Sequence, residues 1–182
     1  GVLYETLAHE GYPGHLYFFN YVKQQGWHPI NFFVSNIGFE EGWAEYAARL
    51  SLDSWGLDPD MMEVIFLDQE FSYLLMGLSD IGINYGGWTV DDVYDLWETY
   101  FYLDSAEDVR DVYDACMAEP GTILSYSIGY YQICDLEEEV KEMLGESFDH
   151  NEFVTELLSV GGASFDITRS YIMEWANEKL HG

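Results

Sequence analysis

The sequence predicts an all-α protein of several helices, and three observations support this fold class. Apolar residues recur at helical spacing along nearly the whole chain, whereas strict alternation of apolar and polar residues is hard to find. Prolines, glycines and capping pairs stand at intervals that suit helix ends. The 182 residues are 48% hydrophobic, which is enough for a core and excludes wholesale disorder.

Three helices are predicted in the first half of the chain. The first covers about 2–24 and is distorted at Pro13, because proline has no N–H to donate in a helix interior. A loop containing Trp27-His28-Pro29 leads to the second helix, over about 38–55. An aspartate cap followed by proline then opens the third helix, over about 58–78.

The second half of the chain contains a series of turn and cap signals. They are Gly82, Gly86 and Gly87; Thr89 with Asp92; Ser105 with Asp108; Pro120; Gly145; and Gly161-Gly162. Thr or Ser followed three residues later by an acid is typical of a helix beginning, proline of a first turn, and glycine of a helix end. The predicted helices cover about 89–103, begin again near 105, and then cover about 120–145, 150–159 and 165–180. Since no linker or repeat interrupts them, we expect residues 1–182 to form a single helical domain.

Charge and composition exclude several classes of function. The chain has 34 acidic and 6 basic residues, a formal net charge of −28, which repels nucleic acid and anionic membrane surfaces. Its two cysteines make neither a disulfide framework nor a structural zinc site. A transmembrane helix needs an apolar run of about 18 residues, and the sequence contains none. It also lacks an Asp/Asn/Gly loop with the spacing of a calcium site. We therefore expect no nucleic-acid partner and no transmembrane segment.

The run His9-Glu10-Gly11-Tyr12-Pro13-Gly14-His15 places two imidazoles and a carboxylate close together in sequence. A catalytic zinc takes three ligands from His, Asp, Glu or Cys and keeps a position open for water, whose proton a neighbouring glutamate accepts. Here the histidines are six residues apart instead of four, which separates them by about 240° around an ideal helix. We therefore expect a helix that bulges at Tyr12 to Gly14 and returns His15 to the metal.

A third ligand is expected on the second predicted helix, where Glu41 and Glu45 share a face. In such a pair one carboxylate binds the metal and the other accepts a hydrogen bond from a ligand histidine. The alternative is a solvated acidic face, which is common in so acidic a chain, and Glu40 is interpreted in this way. The corresponding alternative for the histidine run is a pair of ordinary, partly buried histidines beside a surface glutamate.

Four blocks of the sequence resemble the bacterial domain-of-unknown-function 885 family, whose members are similar to zinc metallopeptidases of the Glu-zincin type. The blocks are the run 9–15; Glu41-Gly42-Trp43-Ala44-Glu45-Tyr46-Ala47; Asp80-Ile81-Gly82-Ile83 with Gly87-Trp88-Thr89; and the stretch 120–129 from Pro120 to Gly129. Together they span most of the chain. The first two are distinctive.

The resemblance implies a mostly helical, zinc-dependent hydrolase that cleaves peptide bonds in peptides or oligopeptides. Zinc is then bound by His9, His15 and Glu41, with Glu10 as the general base. Glu45 orients a ligand imidazole. Family members are considerably longer and carry a helical region before the His-Glu run, so the chain is expected to be a C-terminal catalytic part.

The same resemblance suggests partners and a location. The missing N-terminal region of the same protein is the expected partner, and its loss would expose apolar surface that favours a homodimer. Many relatives are exported or lipid-anchored, which favours an extracellular or lipid-anchored location in a bacterium.

Two further site residues follow from the third and fourth blocks. Tyr126 is a candidate donor to the developing oxyanion, although an aromatic at helical spacing is also typical of a core. Asn84 stands where family members often carry a histidine, and its amide can still donate to a substrate. Phe153-Val154 stands where they often have Phe-His, and valine cannot donate. These departures support an alternative function, a non-catalytic helical domain with a structural or vestigial metal site.

Overall fold

The computed structural model describes residues 2–28, 30, 33, 34 and 36–182, and in them it contains α-helices and no β-strand. The helices are α1 (Val2–Glu10), α2 (His15–Gln24), α3 (Ile37–Ser51), α4 (Pro59–Asn84), α5 (Val90–Trp97), α6 (Arg110–Ala118), α7 (Leu124–Leu144), α8 (His150–Val160) and α9 (Phe165–His181). Short 3₁₀ turns follow α3 and α7 and precede α6. The predicted all-α class is confirmed. Pro29, in the predicted loop, lies outside the described residues.

The chain divides into two compact units. Unit 1 contains residues 1–57 and 128–182, and unit 2 contains 58–127, so that one boundary falls inside α7. Each unit has a separate cluster of buried apolar side chains. The expectation of a single domain over 1–182 stays a prediction.

Unit 1 has a core of large, fully buried side chains. Phe39 of α3, Ile133 of α7, Phe153 and Leu157 of α8 and Ile172 of α9 are each at most 1% exposed. At 25 cal/mol per Å², each such side chain contributes about 1.5–3 kcal/mol relative to an exposed one. This core holds α3 against the C-terminal part of α7.

Helices α3 and α7 approach so closely that two glycines are required at the crossing. A Cβ added at Gly42 would lie 2.3 Å from the carbonyl carbon of Gly129, and one added at Gly129 would lie 2.0 Å from the carbonyl oxygen of Gly38. Any side chain at these positions would force the backbones apart. The glycine in the Glu-Gly-Trp block is therefore a packing residue that fixes the position of α3.

The first predicted helix is two helices, which corrects the expected bulge within one helix. Residues 11–14 form a turn between α1 and α2, with a cis peptide bond between Tyr12 and Pro13. The N–H of Gly14 donates to the carbonyl of Ala8 at 2.9 Å. A Cβ at Gly14 would lie 1.8 Å from the carbonyl oxygen of His9, so the close return of the chain onto α1 depends on this glycine.

Unit 2 is organised around a buried aspartate of α4. Asp80 is 2% exposed, and its two carboxylate oxygens accept hydrogen bonds at 2.8 Å from the side chain of Asn84 and from the N–H of Gly121. Asn84 also donates to the carbonyl of Cys116 at 3.0 Å. Blocks three and four of the family resemblance thus meet in this unit, with a structural role for Asp80.

Several predicted helix limits in unit 2 are wrong. Helix α4 continues six residues past the expected end, so Gly82 lies inside it and the turn follows at Gly86-Gly87. Helix α5 ends at Trp97 instead of near 103, and the N–H groups of 104 and 105 both donate to Asp108. Helix α7 begins at Leu124 instead of Pro120, because Gly121 has a φ of +83°, which a right-handed helix excludes.

The capping signals were predicted more accurately than the helix ends. Thr89 with Asp92 and Ser105 with Asp108 both form complete capping boxes. The side chain of Asp58 accepts a hydrogen bond from the N–H of Asp60 ahead of α4.

Helix α4 carries a long, exposed apolar stripe. Eight of its side chains, spaced three or four residues apart, are between 37% and 93% exposed: Met61, Val64, Leu67, Phe71, Leu74, Leu78, Ile81 and Tyr85 at the helix end. This spacing is the heptad pattern of a helix face that packs against another helix. In the described part of the chain, however, none of the helices combines the length and the apolar character needed to cross a membrane.

Candidate metal centre

The turn between α1 and α2 brings the two histidines of the first block together. His9 lies in the last turn of α1, and His15 is the first residue of α2. Their rings meet edge to face, with centroids 4.7 Å apart and an interplanar angle of 89°. The six-residue spacing, which an unbroken helix could not accommodate at one site, is thus resolved by the turn.

Helix α3 supplies two carboxylates to the same place. Oε2 of Glu41 lies 3.3 Å from Nε2 of His9 and 3.3 Å from Nε2 of His15. Oε1 of Glu45, one turn further along α3, lies 3.0 Å from Nδ1 of His9. All four residues are at least partly buried, and Glu45 is only 3% exposed. The structure therefore brings together His9, His15, Glu41 and Glu45 as the sequence predicted.

Helix α1 is held on α3 by contacts at its other end. The hydroxyl of Tyr4 donates to the carbonyl of Ser51 at 2.7 Å, and its ring stacks on Trp55 with centroids 4.7 Å apart. The Tyr4 hydrogen bond fixes α1 relative to α3 within unit 1, and the Gly42–Gly129 crossing fixes α3 relative to α7. The imidazoles are therefore presented to the carboxylates by packed helices, and the site does not depend on a loop.

The donor atoms have a separation that suits zinc. His9, His15 and Glu41 each offer a ligand atom, and these atoms all lie within 4.8 Å of one another. Two ligands at about 2.05 Å from a tetrahedral zinc are about 3.3 Å apart, which is the distance from Glu41 to each imidazole. A charge-assisted hydrogen bond is shorter, at about 2.7–2.9 Å. The residues present therefore fit a zinc ion.

The electrostatics of the cluster are dominated by its carboxylates. Burial lowers the pKa of His9, but Glu41 and Glu45 outweigh it and raise the pKa of this imidazole to about 9. Burial raises the pKa of Glu41, whereas the imidazoles of His15 and His9 lower it to about 2. At neutral pH, in the absence of a bound cation, His9 is protonated and Glu41 is ionised. A metal ion must displace the His9 proton to bind.

Glu45 determines which nitrogen of His9 faces the cluster. Its Oε1 lies 3.0 Å from Nδ1, which leaves Nε2 as the ring nitrogen that contacts Glu41. The pair of glutamates predicted a contact between Glu45 and a ligand histidine, and the role of Glu45 in orienting that imidazole stays a prediction. Glu10, the predicted base, is the last residue of α1 and is exposed to solvent.

The two predicted oxyanion donors belong to unit 2. Tyr126 lies in the first turn of α7, half-buried, and stacks on Tyr73 with ring centroids 5.1 Å apart. Both amide hydrogens of Asn84 are used, by Asp80 and by the carbonyl of Cys116. These contacts give both residues a structural role, and their catalytic role stays a prediction.

The remaining histidines have other surroundings. Nδ1 of His28 accepts a hydrogen bond from the N–H of Ile30 at 3.2 Å, and Nδ1 of His150 lies 2.8 Å from Glu137. His181 ends α9. Val154, at one of the positions that depart from the family pattern, packs against the core of unit 1.

Sequence analysis did not identify an apolar cleft in unit 1. Glu40, interpreted as a solvated acid, is half-buried and lines this cleft together with Phe19 and Gly162. The pair Gly161-Gly162 was the one available signal, since two adjacent glycines between helices are typical of a close approach as well as of a turn.

Comparisons with known proteins identify relatives of this fold. A family model described as "Bacterial protein of unknown function (DUF885)" matches residues 2–172. The structure of "the putative lipoprotein from Colwellia psychrerythraea" has a TM-score of 0.81 and 23% identity, over 96% of this chain and 30% of that one. That of "a putative lipoprotein of unknown function from Shewanella oneidensis" has a TM-score of 0.79 and 23% identity, over 94% of this chain and 31% of that one. No curated protein matches the chain.

The two solved structures show a likeness of fold alone, because their identity to this chain is low. The chain spans less than a third of the length of either one.

Proposed function

The chain belongs to the bacterial DUF885 family of proteins of unknown function, and from this premise we propose that it is the metal-binding part of a zinc-dependent peptidase. One observation carries the proposal: a single carboxylate oxygen of Glu41 lies 3.3 Å from Nε2 of both His9 and His15. A third contact, from Glu45 to His9, orients one of these imidazoles.

His9, His15 and Glu41 would hold the ion. A zinc ion held there would act as a Lewis acid toward the scissile carbonyl and would acidify a water molecule. Glu10 would accept the proton of that water and pass it to the leaving amine, a role that suits an exposed carboxylate next to a ligand. Glu45 would keep Nε2 of His9 directed at the cluster. Tyr126 is retained as a proposed oxyanion donor, whereas Asn84 would have to release one of its two present hydrogen bonds to serve as one.

A second candidate function is a helical domain whose metal site is structural or vestigial. The observation that favours it is the use of both Asn84 hydrogens within unit 2 together with the packing of Val154 in the core of unit 1. Neither residue offers the donor that a histidine would. An exposed Glu10 favours the peptidase, because a structural zinc site has no need of a base.

Metal analysis combined with a peptidase assay on the full-length protein separates the two functions. We expect one zinc per chain, lost in Glu41→Gln, and hydrolysis of a peptide mixture measured by mass spectrometry. Glu10→Gln should keep the zinc and reduce hydrolysis by about 100-fold or more. Glu142→Gln, an exposed acid of α7, is the matched control and should change neither. Stoichiometric zinc without hydrolysis would support a structural metal site, and no zinc at all would refute the peptidase and favour a vestigial site.

We also infer that the exposed stripe of α4 is covered by the remainder of a longer protein. A helix of 26 residues is about 39 Å long, and an apolar heptad stripe of that length matches another helix. The two solved structures of this fold are more than three times as long as the chain.

The description of these two proteins as putative lipoproteins supports a lipid-anchored or extracellular location, which remains a proposal.

A further inference from the structure

An apolar cleft of about 490 Å³ lies in unit 1. Its walls are formed by Phe18, Phe19 and Val22 of α2, by Trp27, by Glu40 of α3 and by the segment after α8 that contains Gly162. Ligand pockets of proteins usually measure about 300–1,000 Å³. The cleft is therefore large enough to hold a side chain and part of a peptide backbone.

The cleft adjoins the candidate metal centre through two elements. Phe19 lies one turn along α2 from His15, and the two rings stack with centroids 6.1 Å apart and an angle of 22°. Glu40 directly precedes Glu41 in α3. A peptide whose scissile bond lies at the His-Glu cluster would therefore pass a neighbouring side chain to this cleft.

The two glycines after α8 lie beside Trp27 and Glu40 of the cleft wall. Gly161 has a φ of +74°, and a Cβ there would lie 2.3 Å from the ring of Trp27. At Gly162 an added Cβ would lie 3.5 Å from Oε1 of Glu40 and 3.9 Å from Phe18. Gly161 thus lets the indole pack against the backbone, and Gly162 places the backbone beside the Glu40 carboxylate.

Resting on the proposed function, we propose that this cleft binds a lysine or arginine side chain of the peptide substrate, next to the bond that is cleaved. Glu40 is the one charged residue among the described residues that line it. The apolar walls suit the aliphatic stem of such a side chain, and its cationic end would pair with Glu40.

The N-termini of two helices at the cleft favour an anionic ligand instead of a cationic one. Asn36 and Ser164, the N-caps of α3 and α9, also line the cleft, and a helix N-terminus carries a partial positive charge of about one half. At α3 the side chain of Asn36 already accepts a hydrogen bond from the N–H of Phe39. The full charge of Glu40 exceeds that of either end, and the net charge of −28 disfavours an anionic ligand.

The test is calorimetric binding of blocked pentapeptides to the full-length protein, with Glu10→Gln as background so that no peptide is cleaved. The peptides differ only in the central residue, which is Lys, norleucine or Glu. Norleucine has the stem of lysine without the charge. We expect the Lys peptide to bind roughly tenfold more tightly than the norleucine peptide.

Three substitutions sharpen the result. Glu40→Gln should abolish the preference for Lys over norleucine. Ile167→Lys places a cation at a half-exposed position that lines the cleft, and it should also abolish the preference for Lys. This variant provides the test if Glu40→Gln folds poorly. Glu142→Gln removes the same charge from α7 and should retain the preference.

Equal affinity for Lys and norleucine would overturn the assignment, and so would tighter binding of the Glu peptide, which would show that the helix ends dominate. Hydrolysis by the wild-type protein without a preference for Lys would refute the cleft assignment and leave the peptidase intact. Lys-selective binding through Glu40 without hydrolysis of any peptide would refute the peptidase and leave the cleft as a binding site.

Discussion

The affinity of the His-Glu cluster for zinc should rise steeply with pH near neutrality. Glu41 and Glu45 raise the pKa of His9 to about 9, against an ordinary value of 6.5. A metal ligand must be deprotonated, so zinc binding releases the Nε2 proton of His9 wherever the pH lies below this raised pKa. Affinity therefore increases with pH and levels off above about 9. Glu41, with a pKa of about 2, is ionised throughout this pH range and does not contribute to the pH dependence of zinc affinity.

The size of the effect follows from the fraction of neutral His9. With a pKa of about 9, that fraction rises from about 1% at pH 7 to about 24% at pH 8.5, a gain of about 25-fold in zinc affinity. An imidazole of ordinary pKa would give a gain of about 1.3-fold over the same interval. The contrast is large enough to measure.

The assay is competition for zinc against a chromophoric chelator whose own affinity is calibrated at each pH. Glu45→Gln removes one of the two carboxylates that raise the pKa of His9, and should give a smaller gain than the wild type. It should also weaken zinc binding by about 10- to 100-fold, because the imidazole loses its orienting partner. A wild-type gain of about twofold or less between pH 7 and 8.5 would refute the role given to the two carboxylates.

Two further predictions concern packing. Gly42→Ala should destabilise unit 1 by about 1–3 kcal/mol in urea unfolding, because the new methyl meets the Gly129 backbone. Gly38→Ala on the same helix should cost less, because its methyl would meet side-chain atoms only, Oδ1 of Asn36 at 3.3 Å and the ring of Phe165 at 3.9 Å. Equal losses would contradict the close crossing. For the isolated chain, we expect self-association through α4 by light scattering, reduced when Leu67, Leu74 and Leu78 become Gln. The control Leu3→Gln with Leu7→Gln, on exposed positions of α1, should not reduce it, and a monomeric wild-type chain would contradict the prediction.

The predicted helices were accurate where the signal was local. Thr89 with Asp92 and Ser105 with Asp108 form the capping boxes that their spacing indicated, because both partners lie within one turn. The predicted end of α4 was wrong because the contacts that stabilise its last turns are not local. Gly82 resembles a helix stop in sequence, whereas Asp80 and Asn84 are tied to Cys116 and Gly121, more than thirty residues away.

The candidate site shows the same division. Residue types and spacing left ordinary histidines and a solvated acidic face as alternatives, and the family resemblance then implied that His9, His15, Glu41 and Glu45 share a site. The sequence could not show that Gly14 returns the chain so closely onto α1 that two separate helices result. Nor could it show that Glu40 turns toward a cleft, because Phe19, Trp27 and Gly162 come from distant parts of the chain.

The helical class and the caps could be predicted from the amino-acid sequence, because they depend on side-chain chemistry and on neighbours within a turn or two, and the family resemblance added the four clustered residues. The tertiary structure alone decided the separation of Glu41 from both imidazoles, the glycine crossing of α3 and α7, and the cleft beside His15. Those features are distances between backbones brought together by burial of a shared core, and no local pattern of residues encodes such a distance.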